Sequence, residues 1–152
     1  MSPQMSDTAI RKSVTVDRPL EEAFRLYTEQ LATWWPFSTH SAGKEEVETV
    51  ILEGREGGRF YERTRTGDEH LWGTVLVWDP PSRVVHSWHP GRAEHTAQEV
   101  EVTFAPQGEG TRVELVHSGW ERLGDRLGEM ITNYNEGWDV VLGRYVQAAE
   151  VG

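Results

Sequence analysis

LGEMITNYNEGWDVVLGRY, residues 127–145, is the stretch from which the architecture follows. Its apolar side chains fall at Leu127, Met130, Ile131, Tyr134, Trp138, Val141, Leu142 and Tyr145, the spacing of one stripe along an α-helix. Tyr134, Trp138 and Tyr145 make that stripe aromatic, and Gly124 and Asp125 open the segment. A helix with a single apolar face requires an apolar partner, and the chain ahead of it supplies strands.

Those strands read outward from the helix toward the N-terminus. Val113, Leu115 and His117 share one face of a strand, opposite Arg112, Glu114 and Val116. Val100, Val102 and Phe104 alternate with Glu99, Glu101 and Thr103. Val84 to Trp88 follows the breaker Asp79-Pro80-Pro81-Ser82, and Leu71 to Trp78 precedes it. Arg59 to Thr64 and Val47 to Glu53 flank the Gly57-Gly58 turn. Nearest the N-terminus, Val14-Thr15-Val16 favours a strand. Leu20, Ala23, Phe24 and Tyr27 then mark a helix, with Asp17 as its cap and Pro19 in its first turn. A second short helix carries Leu31, Trp34 and Trp35 and stops at Pro36. Close spacing and hairpin turns imply an antiparallel meander. The expectation is an α+β fold: a curved antiparallel sheet of about six to seven strands wrapped around a long C-terminal helix, with two short helices after the first strand. Residues 1–9 read as a disordered leader and 10–149 as a single domain.

The chain has 152 residues, a formal net charge of -10, seven Trp and no Cys. Such acidity repels nucleic-acid phosphates and anionic lipid headgroups, so neither is expected as a partner. Without Cys there is no disulfide, thiolate metal site or Cys nucleophile. Met1 to Thr8 lacks the apolar core of a signal peptide, and no apolar run approaches the ~20 residues of a membrane span. A cytoplasmic protein, monomeric or homodimeric, is the expectation.

Several short pieces, in order, carry a family resemblance. They are Val16-Asp17-Arg18-Pro19, Trp34-Trp35-Pro36, Gly57-Gly58-Arg59-Phe60, Gly73, Pro80-Pro81, the strand ending in Trp88, Gly110-Thr111-Arg112-Val113, His117-Ser118-Gly119-Trp120 and Tyr134-Asn135-Glu136-Gly137-Trp138. Together they resemble the START-like superfamily, also called SRPBCC or helix-grip. Within it, the chain is similar to the branch named for the ATPase activator of the ninety-kilodalton heat-shock chaperone. The resemblance implies a hydrophobic cavity between sheet and helix. It leaves the activity open, because the superfamily includes lipid carriers, hormone receptors, polyketide cyclases, oxygenase domains and chaperone activators.

The candidate chemistry is sparse. His86 and His89 stand three apart on or just beyond a strand, a separation that turns them to opposite faces and makes a poor metal pair. No Gly-x-Ser-x-Gly elbow occurs, and Gly54 to Gly58 lacks the Lys-Ser or Lys-Thr of a phosphate loop. Glu62, Glu69, Arg59 and Arg63 read as exposed cross-strand pairs in preference to a pocket-facing carboxylate beside an Arg that binds a polar head or moves a proton. His117 shares the parity of Val113 and Leu115 and faces inward. It is read as a polar anchor, an acid–base group, or a core histidine bonded to backbone. No cofactor and no metal is expected. The reading favoured by these residues is binding of a small, largely hydrophobic molecule. The walls are Trp35, Trp72, Trp88, Phe104, Leu115, His117, Trp120, Met130, Tyr134 and Trp138. The alternatives are a co-chaperone-like module stimulating a chaperone ATPase and a cyclase- or dehydratase-type enzyme using His117.

Overall fold

A computed structural model describes residues 9–35, 47–89, 97–119 and 127–151, with helix side chains described from 133 to 150. Seven strands form one antiparallel sheet: β1 (Ile10–Val16), β2 (Val47–Leu52), β3 (Arg59–Thr64), β4 (Glu69–Asp79), β5 (Arg83–Trp88), β6 (Gln98–Gln107) and β7 (Gly110–Ser118). Their spatial order is β1-β7-β6-β5-β4-β3-β2. Apart from β1, which returns to pair with β7, the order is a plain meander. Helix α1 (Leu20–Thr28) follows β1, and α2 (Leu127–Val151) closes the chain. This is the expected α+β helix-grip arrangement, with the sheet curled into a half-barrel.

The curl has a local cause. Register shifts interrupt the pairing of β2 with β3 between Val47 and Thr49, of β3 with β4 between Phe60 and Tyr61, and of β4 with β5 between Val75 and Val77. An extra residue on one strand bends it and increases its twist. The β5–β6 and β6–β7 ladders, by contrast, run without a shift. At Gly73 the backbones of β4 and β5 come so close that a Cβ would collide with the carbonyl oxygen of Ser87. Only glycine permits that approach.

Alternation sorts the side chains. On β6, Gln98, Val100, Val102 and Phe104 are buried, and on β7 Thr111, Val113, Leu115 and His117 are buried. Those residues face α2 and α1. The helix is fastened along its length. Lys12 of β1 pairs with Asp139 at 2.9 Å, Tyr145 donates its hydroxyl to the carbonyl of Ala23 at 2.7 Å, and Arg18 Nε donates to the carbonyl of Ala149 at 2.7 Å.

Two local expectations are corrected. Asp17 does not cap α1: Pro19 occupies the N-cap with extended backbone (ψ 159°), and no side chain caps the helix. The Pro19 carbonyl already accepts the amide of Ala23 at 2.9 Å, which places Asp17 two residues too early to reach the free amides. The second short helix is a 3-10 turn, Leu31–Thr33, and Trp34 and Trp35 lie beyond it. The Trp34 indole donates to the carbonyl of Leu26 at 2.8 Å, so the two tryptophans are placed by packing rather than by a helical stripe. Pro36, and Gly124-Asp125 as the opening of the last helix, lie outside the described residues. No helix among the described residues is long and apolar enough to cross a membrane.

Candidate functional site

Two aromatic groups occupy the space between sheet and helices. In the first, Phe104 meets Phe24 and Tyr27 of α1 at 5.1 and 5.9 Å between ring centroids, and Tyr27 meets Tyr145 of α2 at 5.3 Å. The second gathers around Trp88. Its ring lies 5.6 Å from Trp72, 5.3 Å from Trp138, 6.3 Å from Trp35 and 6.3 Å from Tyr134. Trp34 and Trp35, 6.0 Å apart, join the groups.

The second group contains most of the walls nominated from sequence. Trp35, Trp72, Trp88, His117 and Trp138 are all buried there, with Tyr134 partly buried at its margin. Leu115 is buried beside His117's strand neighbours, opposite Val102. Phe104 sits instead in the first group, against α1. Trp120 and the side chain of Met130 lie outside the described residues.

Polar groups are set among these rings. His117 is fully buried, and side chains bond to its ring. The Trp138 indole donates to its Nδ1 at 2.9 Å. An indole N–H only donates, so Nδ1 carries no proton and the proton is on Nε2. Nε2 then donates to Oε1 of Gln98 at 3.3 Å. Both ring nitrogens of His117 therefore have protein partners. The Tyr134 ring packs 5.1 Å from the imidazole.

Glu62 corrects another expectation. It is not in an exposed pair but is fully buried. It accepts the Trp72 indole at 2.8 Å and sits 2.6 Å from Nδ1 of His70, whose side chain is 44% exposed. The exposed network expected here is made by Glu69 with Arg59 and Arg63. Phe60, Glu62 and Thr64 alternate inward on β3, and that parity, overruled by the charge, was the available signal.

His86 was also missed as an interior residue. It faces the same side of β5 as Val84 and Trp88 and is 1% exposed. Its Nδ1–H donates to the carbonyl of Ser87 at 2.9 Å, and its Nε2 has no hydrogen-bond partner among the described residues. Burial lowers its pKa from 6.5 to about 4, so the ring stays neutral. The signal was again parity: two residues from Trp88 on a strand is the same face.

Register places these imidazoles in one row. Val75 pairs with His86, His86 with Val100, Val100 with His117, and His117 with Ile10. His86 and His117 are thus two strands apart, roughly 10 Å at the usual strand spacing. The Trp88 ring lies 5.5 Å from one and 6.3 Å from the other. Among the described residues, no group of three or more His, Asp or Glu side chains is placed to hold a metal.

A separate open groove of about 710 Å³ lies beside α1, lined by Phe24, Arg25, Leu52, Trp78, Pro80 and Pro81 among others. None of the nominated walls borders it.

The model of the family described as Activator of Hsp90 ATPase homolog 1-like protein matches residues 17–150. Among solved structures, an anthrahydroquino-gama-pyrone synthase, Txn09, complexed with SUM, is 33% identical with a TM-score of 0.62, covering 91% of this chain and 95% of that one. CalC from Micromonospora echinospora, a self-sacrificing resistance protein, is 28% identical with a TM-score of 0.71, covering 93% and 94%. The Aha1 dimer from Colwellia psychrerythraea, at 18% identity and a TM-score of 0.68 over 95% and 97%, shares the fold. No curated protein matches the chain.

Proposed function

The chain belongs to the Activator of Hsp90 ATPase homolog 1-like family, and from that premise we propose that it binds a small, largely hydrophobic molecule between the sheet and α2. The observation that carries this reading is the Trp88-centred group. Large rings from the segment after the 3-10 turn, from β4 and β5 and from α2 converge there on buried polar side chains. Apolar walls with a few convergent polar groups are the composition of a small-molecule site. Burial of the ligand supplies about 25 cal/mol per Å² of apolar surface, and the polar groups fix its orientation. Trp35, Trp72, Trp88, Tyr134 and Trp138 form the walls in this reading. Leu115 and His117 back them, and Phe104 stands apart against α1.

Native mass spectrometry of the protein isolated from its own cells tests the proposal. The expected result is a co-purifying molecule whose re-addition quenches tryptophan fluorescence. A bare chain that captures the ninety-kilodalton chaperone instead would overturn it in favour of an interaction module.

A second reading, a cyclase- or dehydratase-type enzyme, is favoured by the synthase among the relatives. His117 is its acid–base group, reached when substrate displaces Gln98 from Nε2. His117→Ala then abolishes turnover and leaves apolar binding in place.

A further inference from the structure

The row of side chains that crosses the concave face contains a polar atom the fold does not use. Its members beside His86 are Val75 and Val100, and the rings nearest it are Phe60 at 4.8 Å and Trp88 at 5.5 Å. The valine and phenylalanine side chains carry no donor, and the indole N–H of Trp88 is not bonded to Nε2. With Nδ1–H given to the carbonyl of Ser87, Nε2 presents a bare lone pair. A buried acceptor without a donor is destabilising, and an apolar side chain at this position would suit the valine row better. His117, two strands away on the same row, cannot take over the task, because Trp138 and Gln98 engage both its nitrogens.

We propose that Nε2 of His86 accepts a hydrogen bond from the bound molecule, which is therefore an uncharged, ring-bearing compound with a hydroxyl or N–H donor. This rests on the ligand-binding reading above and narrows its chemistry. Burial keeps the imidazole unprotonated down to a pH of about 4, so the acceptor is present throughout the physiological range. An ionised carboxylate is disfavoured, because it would set its own lone pairs against that of Nε2 in a desolvated site.

Three probes of one shape separate the possibilities: 1-naphthol, naphthalene and 1-naphthoate, titrated by tryptophan fluorescence and calorimetry. Wild type is expected to bind 1-naphthol roughly tenfold more tightly than naphthalene, the value of one net hydrogen bond, and 1-naphthoate most weakly. His86→Phe keeps a ring and removes the acceptor; it is expected to abolish the naphthol advantage and leave naphthalene binding unchanged. Equal binding of naphthol and naphthalene by wild type means that a water already serves Nε2, and it overturns the proposal. So does a naphthol advantage that survives in His86→Phe. In both cases the pocket itself still stands. Binding of none of the three removes the pocket and this inference with it. Should His86→Phe fail to fold, nitrogen NMR of wild type decides. Naphthol must shift the His86 Nε2 resonance and naphthalene must not; an unmoved resonance overturns the proposal.

Discussion

The indole of Trp138 donates to Nδ1 of His117 across 2.9 Å, a buried hydrogen bond that ties the C-terminal helix to β7. It also sets the histidine's tautomer, and through it the contact of Nε2 with Gln98. The helix, the last sheet hairpin and the start of β6 are in this way linked by three side chains.

The two members of that bond should be energetically coupled. Trp138→Phe and His117→Leu are each expected to cost about 1–3 kcal/mol, since each leaves a buried polar partner unmet. The double variant should cost less than their sum by at least about 0.5 kcal/mol. Urea unfolding of the four proteins measures this, and strict additivity would show that the bond carries no energy.

Burial, not distance, should decide what the carboxylates contribute. Glu62 is fully buried and bonded to Trp72 and His70, whereas the 2.6 Å Arg83–Glu101 pair is 44% and 37% exposed. Glu62→Leu is expected to lower stability by about 1–3 kcal/mol, because the Trp72 indole loses its acceptor inside the protein. Arg83→Ala should cost under about 1 kcal/mol. Denaturant midpoints compare them, and equal losses would contradict the assignment.

His86 should make the fold acid-sensitive over a defined window. Its folded pKa of about 4 lies below the ordinary 6.5, so between those values the unfolded chain holds a proton that the folded chain does not. Stability is then full above pH 6.5 and falls as the pH drops toward 4. The share due to His86 is about 3 kcal/mol at the lower end, by the usual 1.36 kcal/mol per unit. The unfolding free energy of wild type relative to that of His86→Phe, followed from pH 7 to pH 4, should fall by this amount. A constant difference would show that the ring is not buried neutral.

Gly73 should tolerate no side chain. Gly73→Ala pushes a methyl group against the Ser87 carbonyl, and the β4–β5 backbones must part. The expected cost is about 1–3 kcal/mol. At Gly57, where nothing lies near a Cβ, the strain of a positive φ of 82° is the only obstacle. Gly57→Ala should therefore cost less, near 1 kcal/mol. Thermal unfolding of the pair distinguishes collision from backbone strain.

Much of this molecule was legible in the chain because strand and helix periods differ. Alternation at Val100, Val102 and Phe104, and again at Val113, Leu115 and His117, placed those residues on one face without reference to any partner. The aromatic stripe from Tyr134 to Tyr145 did the same for α2. Parity would have placed His86 and Glu62 inward as well. Residue type argued the other way: an isolated carboxylate or imidazole belongs in water unless something inside receives it, and what receives Glu62 is an indole ten residues away on another strand.

Local pattern alone thus determined the element order, the inward faces and the aromatic character of the interior, because these depend on near neighbours along the chain. Which polar groups meet there was decided by the tertiary structure. The bulges that bend β2 to β5, the register that aligns His86 with His117, and the helix position that brings Trp138 to His117 join residues remote in sequence. A hydrogen bond acts over about 3 Å, and no spacing along one strand or helix specifies that distance between two different ones.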